Sequence, residues 1–408
     1  MKKIGIIRES RTDDNRVPLV PLQIKKLLNE YSDLKIFVQP SNHRCFKDAE
    51  YKKMGGIIEN NLSDCDIILG VKEIDPNLLM DSKIYIFFSH TSKIQSDNSA
   101  AAQGTPGMDK KELVRKILEK NITLIDYENI RDKLNRRYLG FGRFAGIVGC
   151  YNSINLYLKT IGQKPMQRAN SLNSYDKIKE IVKGKDLKNA KIILTGDGRV
   201  AKGALEFLNF SNINNIKPNE FFNYKGSDSV FINLTTSLYV KSKDNKKFNL
   251  QHFIEHPDMY VSTLEKYLPY ADMLISAHYW DPKSPKLFDK KNIKMYDKLK
   301  VIGDISCDIN GSIPTTIRSS TIENPYYYID RQNLKETKKS NSALAIMAVD
   351  NLPSELPRDS SEEFGNGIIS EVIPYLIKKD DGRIAKATII KNGELCTSYK
   401  YLNHYISF

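Results

Sequence analysis

Two apolar runs end on side chains that can move protons. "IILGVKE" finishes on Lys72 and Glu73, and "KIYIFFSH" finishes on His90. A proton-transfer group works best when it is neutral near the working pH. An exposed lysine titrates near about 10.4, whereas burial or a neighbouring cation brings it down, and histidine starts near about 6.5. Lys72 and His90 together therefore form a chemically reasonable acid–base pair. Each also has a blander reading, Lys72 as a solvated charge at a strand end and His90 as an ordinary interior or surface histidine. Glu73 need not face the same way as Lys72, because neighbouring strand residues alternate sides. That restriction loosens at a strand end, so Glu73 is either a tuner of Lys72 or merely its neighbour.

A second constellation lies in "AKIILTGDGRVAKGALEFLNF", where a strand runs into a turn and then a helix. Gly196-x-Gly198-x-x-Ala201 is a permitted variant of the dinucleotide fingerprint, with Asp197, Arg199 and Val200 between. Gly198 lets the backbone approach a ligand closely, and the first N–H groups of the helix can hold a pyrophosphate. A purely structural strand-to-helix turn is the alternative. The carboxylate that would bind an adenosine ribose is not evident: near Ile216 stands Lys217, with Glu220 beyond, so both NAD and NADP stay open. Asp304, the last residue of "LKVIGD", can orient a ribose or a cationic substrate, or serve as a cap or buried acceptor. His252 and His256 have helical spacing, but with no third ligand and Pro257 following, a solvated helix end is expected rather than a metal site. No G-x-S-x-G elbow is present.

These groups need elements to hold them. Lys3 to Ile7, "LKIFVQP", Asp66 to Val71, "KIYIFFSH" and "ITLIDYE" have strand character, and "PLQIKKLLNEY", "EYKKMGG" and "KKELVRKILEKN" have helical character. Such alternation predicts a mostly parallel sheet covered on both faces, with ligands at the carboxyl ends of its strands. Residues 96–108, "SDNSAAAQGTPGM", interrupt the order and predict a mobile loop. In "FGRFAGIVGCYNSINLYLKTIG" small residues recur at near-helical spacing, predicting a helix packed tightly on its neighbours that carries the chain between domains. Of Tyr326 to Tyr328 only alternate members can share a strand face.

The chain has 408 residues, enough for two domains. Hydrophobic residues make up 40% and charged residues 27%, and no apolar run reaches the roughly 18 residues of a bilayer span. "MKKIGIIRES" has too short an apolar run for a secretory signal. Five widely spaced cysteines suit reduced thiols in a cytoplasm. The net charge of +13 favours anionic ligands. The lysines are scattered, without zinc-finger spacing or a basic–aromatic platform, so no nucleic-acid partner is expected.

The ordered motifs "NRVPLVP", "GVKE", "FFSHT", "LIDYE", "FGRFAG", "GDGRVAKGA", "GDISCDINGSI" and "DNLPSELP" resemble those of the saccharopine dehydrogenase and lysine-ketoglutarate reductase family. Alanine dehydrogenase and the nicotinamide nucleotide transhydrogenase subunit are more distantly similar. The likeness is closest to the reductase half of aminoadipate semialdehyde synthase, through "HPDMYVSTLEKYLPYADMLISAHYWD" and "TIENPYYYID", and extends to about Glu371. It implies an α/β fold of two Rossmann-like domains with mostly parallel sheets facing across a cleft. Residues 1–140 with 332–408 would form the substrate domain and 141–331 the dinucleotide domain, with "ATIIKNGEL" and a C-terminal helix completing the first.

The resemblance also implies interconversion of L-lysine plus 2-oxoglutarate with saccharopine, using NAD or NADP. Lys72 and His90 would be its acid–base groups. Arg16, Gln95, Arg136, Arg137 and Phe141 would surround the substrate, with Lys93 nearby; a guanidinium such as Arg16 suits a carboxylate bidentately. Ala277, His278 and Tyr279 would face substrate or cofactor, and Gly303, Asp304, Ile305 and Ser306 the nicotinamide side. Chain length and the resemblance, which leave out the second catalytic half of bifunctional relatives, point to a separate lysine-pathway enzyme as partner, and the short apolar runs to no membrane partner. An alanine-dehydrogenase-like reductive amination and a non-catalytic nucleotide-binding scaffold or sensor are the alternatives.

Overall fold

Short runs of branched and aromatic residues alternate with amphipathic helices, and each run becomes a buried strand. The computed structural model describes residues 2–94, 108–172, 174–211 and 213–406, so the predicted 96–108 loop lies almost wholly outside the described residues. The chain forms two units, Met1–Phe141 with Pro357–Phe408, and Gly142–Leu356.

The first unit opens with β1 (Lys2–Ile6), β2 (Leu34–Val38), β3 (Ile57–Ile58), β4 (Ile67–Leu69), β5 (Ile84–Phe87) and β6 (Thr123–Asp126). All of these pair in parallel, β1 lying between β2 and β4. The chain thus builds outward from β1 first on one side and then on the other. The point where that direction reverses, between β1 and β4, leaves a crevice at the strand ends. Apolar clusters cover both faces, one including Ile4, Ile36 and Tyr51, the other Ile68, Tyr85 and Ile117.

The second unit repeats the plan with β7 (Lys191–Thr195), β8 (Asn214–Asn215), β9 (Val230–Leu234), the antiparallel pair β10 (Val240–Ser242) and β11 (Tyr260–Ser262), then β12 (Met273–Ser276), β13 (Val301–Asp304), β14 (Tyr326–Ile329), β15 (Glu336–Thr337) and β16 (Leu344–Met347). Its 8-stranded sheet runs β15-β14-β16-β13-β12-β7-β9-β8, reversing direction between β7 and β12. Tyr326 and Tyr328 share one face of β14, their rings 5.9 Å apart. The chain then returns to the first unit, where β17 (Thr388–Lys391) and β18 (Glu394–Leu395) extend the sheet from β6 in antiparallel fashion.

Both units are therefore Rossmann-like, each with an 8-stranded, mostly parallel sheet. The return comes at Pro357 rather than near 332, because residues 332–356 contain β16, which hydrogen-bonds in parallel to β13.

The small-residue stretch forms the helix Gly142–Thr160, buried along most of its length. Gly146 meets the helix Arg199–Phe210 so closely that a Cβ there would lie 1.9 Å from the Val200 carbonyl oxygen. The contact is mutual, since a Cβ on Gly203 would lie 2.0 Å from the Arg143 carbonyl oxygen. A rigid backbone atom cannot move aside as a flexible side chain can. Gly146→Ala should therefore destabilise the protein by roughly 1–3 kcal/mol or more, whereas Gly184→Ala, at an open position, should leave stability nearly unchanged. Urea melts of both variants check this, and equal stabilities would remove the role of the backbone contact.

Candidate active site

The first unit gathers charged side chains at the carboxyl ends of β1, β4, β5 and β6. After β4 the chain passes Gly70 and presents two N–H groups to Glu9, which follows β1. The Glu9 carboxylate accepts from Val71 N at 2.7 Å and from Lys72 N at 2.8 Å. Lys72 is thereby fixed at the reversal point of the sheet. Burial, and next the nearby Arg16 guanidinium, lower the pKa of its amine from the ordinary lysine value, opposed by Glu73 and Asp14.

Arg16 is itself buried, with Nε donating to Asp14 Oδ1 at 2.8 Å and Nη2 paired with Asp14 Oδ2. Burial would raise the Asp14 carboxyl, but the charge and hydrogen bonds of Arg16 outweigh it and hold the group well below the usual range. One edge of the Arg16 fork is thus committed to Asp14, and the guanidinium lies 4.1 Å over the Phe141 ring. Phe141 stacks on Phe364 with centroids 4.4 Å apart.

His90 follows β5 in the left-handed region, at φ 52°, a conformation a non-glycine residue adopts at a cost. Two carboxylates hold it there. Asp126, at the end of β6, accepts from the N–H groups of Ser89 and His90, both at 3.1 Å, and from the Ser89 hydroxyl at 2.6 Å. Glu73 is fully buried and lies 2.6 Å from His90 Nδ1. Burial would raise the Glu73 carboxyl, but His90 and Lys72 hold it down to about 2. An ionised carboxylate can only accept, so Nδ1 carries the proton and Nε2 is the nitrogen left to exchange one. Glu73 thus turns towards His90 in hydrogen bonding while its charge also acts on Lys72.

Around this pair Glu128 draws Lys93, at 2.6 Å, and Arg137. Lys110, at the start of the helix Lys110–Glu119, is also buried; burial lowers its pKa, opposed chiefly by the charge of Glu73. Arg136 turns instead to Asp132, at 2.7 Å. Gln95 lies outside the described residues. Glu9, Asp14, Asp126, Glu128 and Lys110 were not singled out from sequence. Asp126 and Glu128 stand in "LIDYE", where a carboxylate at a strand end was the available signal.

The second unit places the fingerprint loop at its own reversal point. Gly196 has φ +103°, and a Cβ there would lie 2.7 Å from the Ala277 carbonyl oxygen. Gly198 caps the helix Arg199–Phe210 without a side-chain hydrogen bond, and nothing lies within 4 Å of its Cβ position. Asp197 and Arg199 are exposed, whereas Val200 is half-buried and Ala201 is buried. An open backbone cradle before the first N–H groups of a helix fits a dinucleotide pyrophosphate.

His278 places Nδ1 at 2.8 Å from Thr195 Oγ1, while its buried Nε2 has no hydrogen-bond partner among the described residues. Burial pushes its pKa down to about 4, keeping the ring neutral. Tyr279 is exposed. Asp304 takes the acceptor role: it receives the Ser306 hydroxyl and the Thr316 hydroxyl, each at 2.6 Å, and the N–H groups of Ser306 and Cys307. Gly303 lies against Ser153, and Ile305 packs on Gly149 of the long helix.

The strand beside β7 is β9, not the short edge strand near Ile216. A ribose held at the strand beside β7 would meet the end of β9, where Thr235, Thr236 and Ser237 follow Leu234, rather than Lys217 or Glu220. That position carries hydroxyls and no carboxylate.

The chain thus carries two Rossmann-like units, one with a glycine-rich strand-to-helix loop that fits a dinucleotide and the other with a buried cluster of titratable groups. The alanine dehydrogenase/PNT N-terminal domain matches residues 5–148 and the C-terminal domain of the same family matches residues 234–398. The chain belongs to the alanine dehydrogenase/PNT family. It is 28% identical over 440 residues to alpha-aminoadipic semialdehyde synthase of Bos taurus, a match covering 95% of this chain and 46% of that protein. The chain thus spans about half the length of that relative. Saccharopine dehydrogenase [NAD(+), L-lysine-forming] of Candida glabrata is 26% identical, with 88% of each chain covered. A solved L-alanine dehydrogenase superposes with a TM-score of 0.62 at 14% identity, over 99% of this chain and 100% of that one. Among the described residues no helix is long and apolar enough to cross a membrane.

Glu9 gives a pH test of the cluster. Burial, and then the charge of Asp14, push its carboxyl up to about 8 from the ordinary 4.5, despite the two N–H groups and Arg16. Between those values the folded protein holds a proton that the unfolded chain has released, so stability falls as pH rises through this window. Glu9→Gln should remove that component, making the stability difference between wild type and variant drift against wild type from about pH 5 to about pH 8.5. Chemical melts across the range read it out; parallel curves would mean that Glu9 does not hold its proton in the fold.

Proposed function

We propose that the protein reductively joins the ε-amine of L-lysine to 2-oxoglutarate, forming saccharopine, and catalyses the reverse reaction. The observation that carries this reading is His90, its Nδ1 engaged by ionised Glu73, in the same cluster as Lys72, whose amine gives up its proton more readily than an exposed lysine. Similarity to a protein named as an L-lysine-forming saccharopine dehydrogenase supports the substrate class.

The substrate amine adds to the keto carbon, and the resulting hydroxyl must leave as water before a carbon–nitrogen double bond can be reduced. Lys72 suits the first stage: its ammonium donates the proton that turns the departing hydroxyl into water, and the neutral amine can take one back. His90 Nε2 suits the substrate nitrogen, removing its proton before attack and handling the proton of the secondary amine. Lys93, Lys110 and Arg137 bring positive charge suited to substrate carboxylates. When bound, the nicotinamide cofactor supplies the hydride. The fingerprint loop would hold its pyrophosphate, and the hydroxyl-bearing end of β9, lacking a carboxylate to repel a 2'-phosphate, favours NADPH.

A spectrophotometric matrix crossing NADH and NADPH with lysine or ammonia, and with 2-oxoglutarate or pyruvate, tests the reading. Cofactor oxidation should require lysine and 2-oxoglutarate together and proceed faster with NADPH. Turnover with pyruvate and ammonia instead would make the reaction alanine-dehydrogenase-like, and cofactor binding without turnover on any pair would favour a sensor. Lys72→Met should keep cofactor affinity and lose roughly 10²–10⁴-fold in kcat; an unchanged kcat would end its assignment.

A further inference from the structure

Neighbouring residues Arg136 and Arg137 take different partners, and the difference marks a second concavity. Arg137 turns to Glu128 of the acid–base cluster, whereas Arg136 turns to Asp132. The Asp132–Arg136 pair belongs to the wall of a cavity of about 880 Å³ within the first unit, formed by residues 129–138 together with residues around Asp381, Lys386 and Tyr399. Lys72, His90, Glu73 and Glu128 do not line it.

Of the 13 lining residues, 5 are arginine or lysine and 2 are aspartate, a net excess of 3 positive charges. Pairing does not distribute evenly over them. Arg136 is matched by Asp132, and Arg383 by Asp381 and Glu371, its guanidinium also lying 4.5 Å from the Tyr138 ring and 3.7 Å from that of Tyr375. Arg131, Lys133 and Lys386 have no carboxylate partner among the described residues. Like charges brought around one concavity repel one another, and a multiply charged anion relieves that repulsion.

The walls are also built in advance of any ligand. Asp132 accepts from Leu134 N at 2.9 Å, Arg136 N at 2.8 Å and Arg136 Nε at 2.7 Å, which fixes the turn that carries Lys133. Arg131 Nη1 donates to the Asn135 carbonyl oxygen at 3.0 Å. On the other wall Asp380 accepts from Ile384 N at 3.1 Å and Ala385 N at 2.9 Å, and the Tyr399 hydroxyl donates to the Lys386 carbonyl oxygen at 2.9 Å. Lys133 is thus mounted on a short turn and Lys386 on the short helix Arg383–Ala387, each held by hydrogen bonds. The volume suits a small molecule.

We propose that this cavity is a binding site for a compact polyanion, a molecule bearing two or more phosphate or carboxylate groups, held by Arg131, Lys133 and Lys386. It is separate from the acid–base cluster and independent of which amino acid and keto acid the enzyme joins.

Calorimetric titration with inorganic pyrophosphate and with citrate, at ionic strength held constant with sodium chloride, tests it. Wild type and Gly198→Asp, which places a negative charge at the dinucleotide loop, should share the cavity's binding event, the variant losing only a separate pyrophosphate event at that loop. The Lys133→Glu/Lys386→Glu double variant should bind far more weakly, roughly tenfold for each charge-assisted hydrogen bond removed and so about a hundredfold in all. Both lysines are exposed, so the double variant should fold, and its thermal melt confirms that. Binding of pyrophosphate alone or citrate alone with this pattern supports the site and tells phosphate from carboxylate. Equal affinity in the double variant, loss of the cavity's binding event in Gly198→Asp, or no heat beyond that of sodium chloride would overturn it.

Discussion

A carboxylate with no access to water must find hydrogen bonds and opposite charge within the fold, and in the first unit that requirement falls on Glu73. It stays ionised because His90 and Lys72 compensate its burial. The consequences spread outward. His90 must present Nδ1 to Glu73, so its backbone takes the left-handed conformation, and Asp126 must brace that conformation through two backbone N–H groups and the Ser89 hydroxyl. A single buried charge thereby fixes the tautomer, the ring and the turn of the principal titratable group.

Glu9 performs a related task for Lys72, but on its backbone. By accepting two consecutive N–H groups it holds the chain where β4 ends and satisfies donors that include the buried Val71 N–H. Lys72 is then surrounded by groups of both signs. Arg16 and burial favour losing the proton, whereas Glu73 and Asp14 favour keeping it. Such opposition allows an amine to titrate below the ordinary lysine range without becoming permanently neutral.

The same architectural device serves two chemistries. In each unit the sheet grows from a central strand in one direction and then the other, and the loops at that reversal are kept apart. In the first unit the opening receives Glu9 and Lys72. In the second it receives the Gly196 turn against Ala277, with the uncapped helix start at Gly198. Chains that must approach backbone to backbone there use glycine, as do the crossing helices at Gly146 and Gly203.

Much of this was legible from sequence. Apolar runs of the right length ending in polar residues gave the strands, and "GDGRVAKGA" gave the strand-to-helix turn, because period and local turn chemistry are properties of neighbouring residues. Lys72 and His90 could be placed at strand ends for the same reason. The partners were not legible: Glu9 lies 63 positions from Lys72 and Glu73 lies 17 from His90, and which distant carboxylate meets which base depends on strand order. Strand order also moved the strand end that a ribose would meet from the Lys217 region to β9 and kept residues 332–356 in the second unit, since a short run does not state which strand it will pair with. It left Asp304 bound to its own turn and sent Arg136 and Arg137 to different partners. The sequence by itself determined which elements form and which groups can titrate; the tertiary structure decided who compensates each buried charge, because burial and pairing arise only when separate strands are brought side by side.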